Sequence, residues 1–107
     1  MKRDNFLFDL TGKTVLITGG GSGLGLAITR AIAQAGAKVI ITGRREDVLQ
    51  AICLELGDNA VYRAFDLARL EEIPSRIDEI ESTEGPIDVL VNNAGINRKK
   101  DILDVTN

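Results

Sequence analysis

Eight residues, Thr18-Gly19-Gly20-Gly21-Ser22-Gly23-Leu24-Gly25, limit most strongly what this chain can become. They follow a β-branched run, Thr14-Val15-Leu16-Ile17-Thr18, whose lack of alternation suits a strand buried on both faces. They lead into Leu24, Ala27, Ile28, Ala31, Ile32 and Ala35, apolar residues at three- and four-residue spacing. That spacing predicts a helix from Leu24 to Ala35, with Gly36 placed to stop it. A strand, a glycine loop and a helix in this order bring a helix N-terminus to the carboxyl end of a strand. Free N–H groups and the positive end of the helix then face one point, where an anion such as a pyrophosphate can sit. Gly19 would let the chain turn tightly, Gly23 would let backbone approach the anion, and Gly25 would let the helix pack closely. The backbone of Ser22 and Leu24 completes the candidate cradle. A glycine-rich turn with no ligand is the competing reading, and the flanking strand and helix favour binding.

The same alternation continues downstream. Lys38 to Thr42 repeats the composition of a buried strand, and Val48, Leu49, Ile52 and Leu56 mark the inner face of a second helix ended by Gly57. Ala60 to Phe65 is a third strand, and Leu70, Ile73, Ile77 and Ile80 predict a third helix running to the Glu84-Gly85-Pro86 break. Ile87 to Val91 is the fourth strand. The order β-α-β-α-β-α-β implies right-handed crossovers and a parallel sheet covered on both faces, hence an α/β, doubly wound domain. The spatial order expected for its strands is 3-2-1-4.

Composition removes several other classes. Thirteen basic against sixteen acidic residues give a formal charge of -3, which offers no basic field for nucleic acid or an anionic membrane. With no histidine and Cys53 as the single cysteine, the usual zinc and haem ligand sets cannot be assembled, and no metal site is expected. Cys53 lies beside the apolar stripe of the second helix and reads as a small hydrophobe. The apolar run near the N-terminus, Phe6 to Phe8, is too short for a signal or a membrane span, and a reducing, cytoplasmic location is expected.

Two motifs, in order and on the expected elements, carry a resemblance. The glycine spacing is Gly-x-x-x-Gly-x-Gly after a threonine, and Asn92-Asn93-Ala94-Gly95 follows the fourth strand. On these the chain resembles the short-chain dehydrogenase/reductase family, from about Leu10 to Asn107. The resemblance implies a Rossmann-type domain over residues 1–107, incomplete at its C-terminus, within a homo-oligomeric NAD(P)-dependent oxidoreductase. It further implies that Asn92 braces the sheet, that Asn93 and Gly95 line the cofactor site, and that Asp66 and the Leu67 backbone meet the adenine. Read from the residues alone, strand stops are a competing reading for the asparagines, and Asp66 could equally be a helix cap.

Cofactor choice turns on the end of the second strand, where a carboxylate about twenty positions after the glycines would bind the ribose 2'-hydroxyl. Gly43 stands there, followed by Arg44 and Arg45, which offer cations to a 2'-phosphate. NADP is favoured, with NAD as the alternative. Arg98-Lys99-Lys100 is either a solvated loop or, since the resemblance places it beside the substrate pocket, a contact for an anionic substrate such as a sugar acid.

The resemblance implies hydride transfer to or from a small carbonyl or alcohol substrate, using a serine and a Tyr-x-x-x-Lys pair. The single tyrosine, Tyr62, lies in a strand and has Asp66 four positions on, so no catalytic residue is assigned within these residues. Ile102, Leu103, Val105 and Thr106 read as the entrance to a further helix, so a truncated chain, inactive alone, is expected. A stand-alone nucleotide-binding module without turnover remains the other class. A methyltransferase is disfavoured, because Gly43-Arg44 lacks its ribose-binding carboxylate.

Overall fold

A computed structural model describes residues 9–65 and 70–93. Its elements are β1 (Thr14–Thr18), α1 (Gly23–Gln34), β2 (Lys38–Gly43), α2 (Glu46–Leu56), β3 (Ala60–Ala64), α3 (Ile73–Glu84) and β4 (Val89–Asn92). The four strands form one parallel sheet in the order β3-β2-β1-β4. This is the doubly wound topology expected from the alternation of strand and helix patterns.

The central strands show why they lack polar alternation. Val15 and Ile17 of β1, with Val39 and Ile41 of β2, face one side and pack with Leu49 and Ile52 of α2. Leu16 and Ile40 face the other side and pack with Ile80 of α3. Successive side chains of a strand point to opposite faces, so a strand covered on both faces is apolar at consecutive positions rather than at alternate ones. Cys53 is half-buried against the first of these cores, and burial pushes its thiol pKa up, as befits a small hydrophobe.

Boundaries shift where polar groups compete with the regular ladder. The fourth strand starts at Val89 rather than Ile87, because the Ile87 amide donates to the Glu81 carboxylate at 2.7 Å. The Asp88 carboxylate accepts from the Thr14 amide at 2.8 Å, so it fixes the start of β1 from the side. The third helix begins at Ile73, after a 3-10 turn over Leu70–Glu72, with Pro74 in its first turn where a missing N–H costs nothing. At the helix's other end Glu84 accepts from Lys38 at 2.8 Å and from Arg63 at 2.5 Å, so one carboxylate ties α3 to β2 and β3. Both cations hold that carboxyl below its ordinary pKa.

Strand β4 lies at the edge of the sheet that the expected order 3-2-1-4 gives it. Val89 and Leu90 are each 42% exposed, and among the described residues β4 pairs only with β1. No helix among the described residues is long and apolar enough to cross a membrane.

Candidate nucleotide-binding site

The carboxyl ends of β1, β2 and β4 converge on the glycine loop. Gly19 and Gly23 have φ of +67° and +54°, left-handed values that favour glycine. The Gly19 and Gly20 amides both donate to the Thr42 carbonyl, at 3.0 and 3.2 Å, which hangs the start of the loop on β2. From the other flank the Asn93 side-chain amide donates to the Gly19 carbonyl at 3.0 Å. The loop is therefore held on both sides by strands adjacent to its own.

Close packing fixes the rest. A Cβ on Gly25 would overlap the Gly19 carbonyl oxygen and stand 2.5 Å from the Asn93 amide nitrogen. A Cβ on Gly20 would stand 2.7 Å from a methyl of Ile41 and 2.9 Å from the Thr29 hydroxyl. That hydroxyl, wholly buried, donates to the Gly25 carbonyl at 2.8 Å and lies 3.4 Å from the Gly20 carbonyl. Thr29 is thus a joint between helix and loop that the sequence reading passed over. Its one available signal is a hydroxyl four residues after Gly25 on an otherwise apolar helix face.

The open part of the loop is rich in donors. Among the described residues, none of the backbone N–H groups of residues 21–25 enters a backbone hydrogen bond. Ser22 is the N-cap of α1 yet makes no side-chain cap bond, and the first turn of α1 holds no acidic residue. The first turn of α2 differs, with Glu46 and Asp47 in place. The positive end of α1 is therefore left unneutralised beside free donors, which is the donor set an anion requires. A Cβ on Gly23 would meet nothing within 4 Å, so the space in front of these donors is clear.

Asn93 has no exposed surface, and its carbonyl oxygen Oδ1 has no hydrogen-bond partner among the described residues. A buried acceptor without a partner costs free energy, so a donor brought by a ligand would be favoured at this point. Asn92 accepts from the Thr18 hydroxyl at 2.9 Å across the β1–β4 pair, which is a bracing role. These features fit a dinucleotide: donors for its phosphates, clear space and an unsatisfied polar atom lie together.

Arg44 and Arg45 leave the end of β2 exposed to solvent. Arg45 approaches Asp47 at 3.5 Å, whereas Arg44 makes no ion pair among the described residues. A Cβ on Gly43 would meet Leu49 methyls at 3.4 and 3.7 Å, ordinary contact, so space for a side chain exists there. The Tyr62 hydroxyl donates to Glu46 at 3.0 Å, and that bond raises the phenol pKa, the reverse of what an acid–base tyrosine needs. The structure thus gathers Gly19, Ser22, Gly23, Leu24, Gly25 and Asn93 at one place, with Arg44 and Arg45 directly after the neighbouring strand β2. Asp66, Leu67 and Gly95, and the run Arg98-Lys99-Lys100, lie outside the described residues.

Known proteins share the sequence and fold of this chain. The chain is 36% identical over 103 residues to a 2-dehydro-3-deoxy-D-gluconate 5-dehydrogenase of Formosa agariphila, covering 92% of this chain and 39% of that protein. It is 40% identical over 98 residues to a 5-keto-D-gluconate 5-reductase of Escherichia coli, covering 89% of this chain and 39% of that protein. The chain therefore spans well under half the length of these relatives. Its fold matches the crystal structure of L-sorbose reductase from Gluconobacter frateurii complexed with NADPH and L-sorbose, with a TM-score of 0.73 and 35% identity. That match covers 82% of this chain and 35% of the other. A sequence model of the short chain dehydrogenase family matches residues 13–107, and the chain belongs to that family.

Proposed function

We propose that residues 1–107 are the cofactor-binding part of an NADP-dependent oxidoreductase that transfers hydride between the nicotinamide and a small carbonyl or alcohol substrate. The observation that carries this reading is the open end of α1, with free N–H groups at residues 21–25 and no carboxylate in its first turn. The loop donors and the helix end would hold the pyrophosphate, and Asn93 would offer its unpartnered oxygen to a donor on the cofactor. Arg44 would take the 2'-phosphate, while the backbone of Gly19 and the stretch from Ser22 to Gly25 would shape the cradle. Asp66, Leu67 and Gly95 are assigned as further contacts through the family pattern, with Arg45 beside Arg44. The NADPH held by the sorbose reductase supports the choice of NADP. When bound, the cofactor donates or accepts the hydride, and the chain's part is to fix and orient it. A single unpaired cysteine fits a reducing compartment such as the cytoplasm.

Titrating the intact protein with NADPH and NADH tests this. Wild type should bind NADPH more tightly, and Arg44→Asp should cost about ten- to a hundred-fold in NADPH affinity, the equivalent of one charge-assisted bond. Tighter binding of NADH by wild type would overturn the assignment of NADP.

The gluconate-type relatives and the sorbose reductase support a polyhydroxylated carbonyl compound as substrate. NADPH oxidation by the intact protein with 5-keto-D-gluconate or L-sorbose measures this, and no turnover of either would remove that substrate class. Residues 1–107 alone should give no turnover in the same assay, because Tyr62 is tied to Glu46 and no Tyr-x-x-x-Lys pair is present.

A further inference from the structure

Two carboxylates, Glu46 and Asp47, stand in the first turn of α2, directly after Arg44 and Arg45. A free carboxylate there would repel the 2'-phosphate that Arg44 attracts. The pair between Asp47 and Arg45 is about three-quarters exposed on both sides, with side-chain exposures of 75% and 76%, and holds its partners weakly. Glu46 is held differently, by the Tyr62 hydroxyl at 3.0 Å. Tyr62 sits on β3, opposite Ile41 of β2, and its ring packs against the core shared with α2. The strand order places β3 and the glycine loop on opposite flanks of β2, since the loop follows β1. A carboxylate drawn to Tyr62 is therefore drawn to the flank away from the loop.

We propose that Tyr62 is a positioning residue for cofactor choice, whose hydroxyl holds the Glu46 carboxylate on the β3 flank so that Glu46 adds no repelling charge beside a 2'-phosphate at Arg44. The inference rests on the NADP reading given above and goes beyond it, since neither Tyr62 nor Glu46 is there a cofactor contact. The half-buried ring, packed against the core, supplies the anchor, and a hydrogen bond from a neutral phenol to a carboxylate is of the stronger, charge-assisted kind. Releasing Glu46 to swing toward Arg44 would add one negative charge near a phosphate dianion in a solvent-screened setting, a weakening of about three- to tenfold.

The test is calorimetric binding of NADPH, NADH, 2',5'-ADP and 5'-AMP to the intact protein. Tyr62→Phe keeps the ring in the core and removes only the hydroxyl. It should weaken NADPH and 2',5'-ADP about three- to tenfold while leaving NADH and 5'-AMP nearly unchanged. The double variant Tyr62→Phe with Glu46→Gln should restore the wild-type ratio, a rescue that a merely structural role for Tyr62 would not show. An unchanged NADPH-to-NADH ratio in Tyr62→Phe, or a loss that persists in the double variant, overturns the inference while the NADP reading stands. Wild type with no preference for NADPH overturns that reading, and this inference with it.

Discussion

At the scale of single residues, the glycines of the loop divide by the reason each is needed. Gly25 is required by space, since a methyl there would run into the Gly19 carbonyl and the buried Asn93 amide. Gly23 is required by conformation, since its φ is +54° while the space around its Cβ position is clear. Gly25→Ala should accordingly cost about 3 kcal/mol, the upper end of overpacking, because backbone and a buried side chain cannot yield. Gly23→Ala should cost about 1 kcal/mol for the left-handed backbone, yet put its methyl into the space in front of the free donors. Urea unfolding should rank Gly25→Ala as the less stable variant, and equal losses of stability would contradict this division. The sequence supplied the positions of these glycines and the expectation that Gly25 serves helix packing. It could not supply the partner, because Asn93 reaches Gly19 from 74 positions away. Gly20 was passed over for a related reason: what excludes a side chain there is Ile41 on a neighbouring strand.

At the scale of elements, the helix and strand patterns were legible because each element's apolar positions match its covered faces. Both faces of β1 and β2 are buried, and the middle of each strand, Val15 to Ile17 and Val39 to Ile41, is apolar without interruption. Strand β4 has a similar composition but carries Val89 and Leu90 at 42% exposure, since pattern records a capacity for burial and not the presence of a neighbour. Its start was misplaced because side-chain carboxylates, from Glu81 and Asp88, take over the hydrogen bonding just before it. A strand edge with unpaired backbone groups and apolar side chains is a template for pairing. Residues 1–107 alone should therefore associate with a second copy through β4, and light scattering over a range of concentrations should show mass rising above that of a monomer. A monomer at every concentration would refute it. Glu or Lys in place of Leu90 should shift that association toward monomer, since charge blunts an exposed edge.

For the molecule as a whole, the site belongs to no single stretch of chain. The loop between β1 and α1 is held by Thr42 at the end of β2 and by Asn93 after β4, while Thr18 bonds Asn92 across the same strand pair. Those last two contacts each close a separation of 74 residues. The consequence is one of timing. Contacts within β1, α1 and β2 are comparatively local and can form early, whereas closing so long a loop is paid for in chain entropy before any bond repays it. During synthesis the glycine loop can take its turn as soon as β2 has emerged, yet the Gly19 carbonyl waits for Asn93 until nearly the whole of this segment has been made.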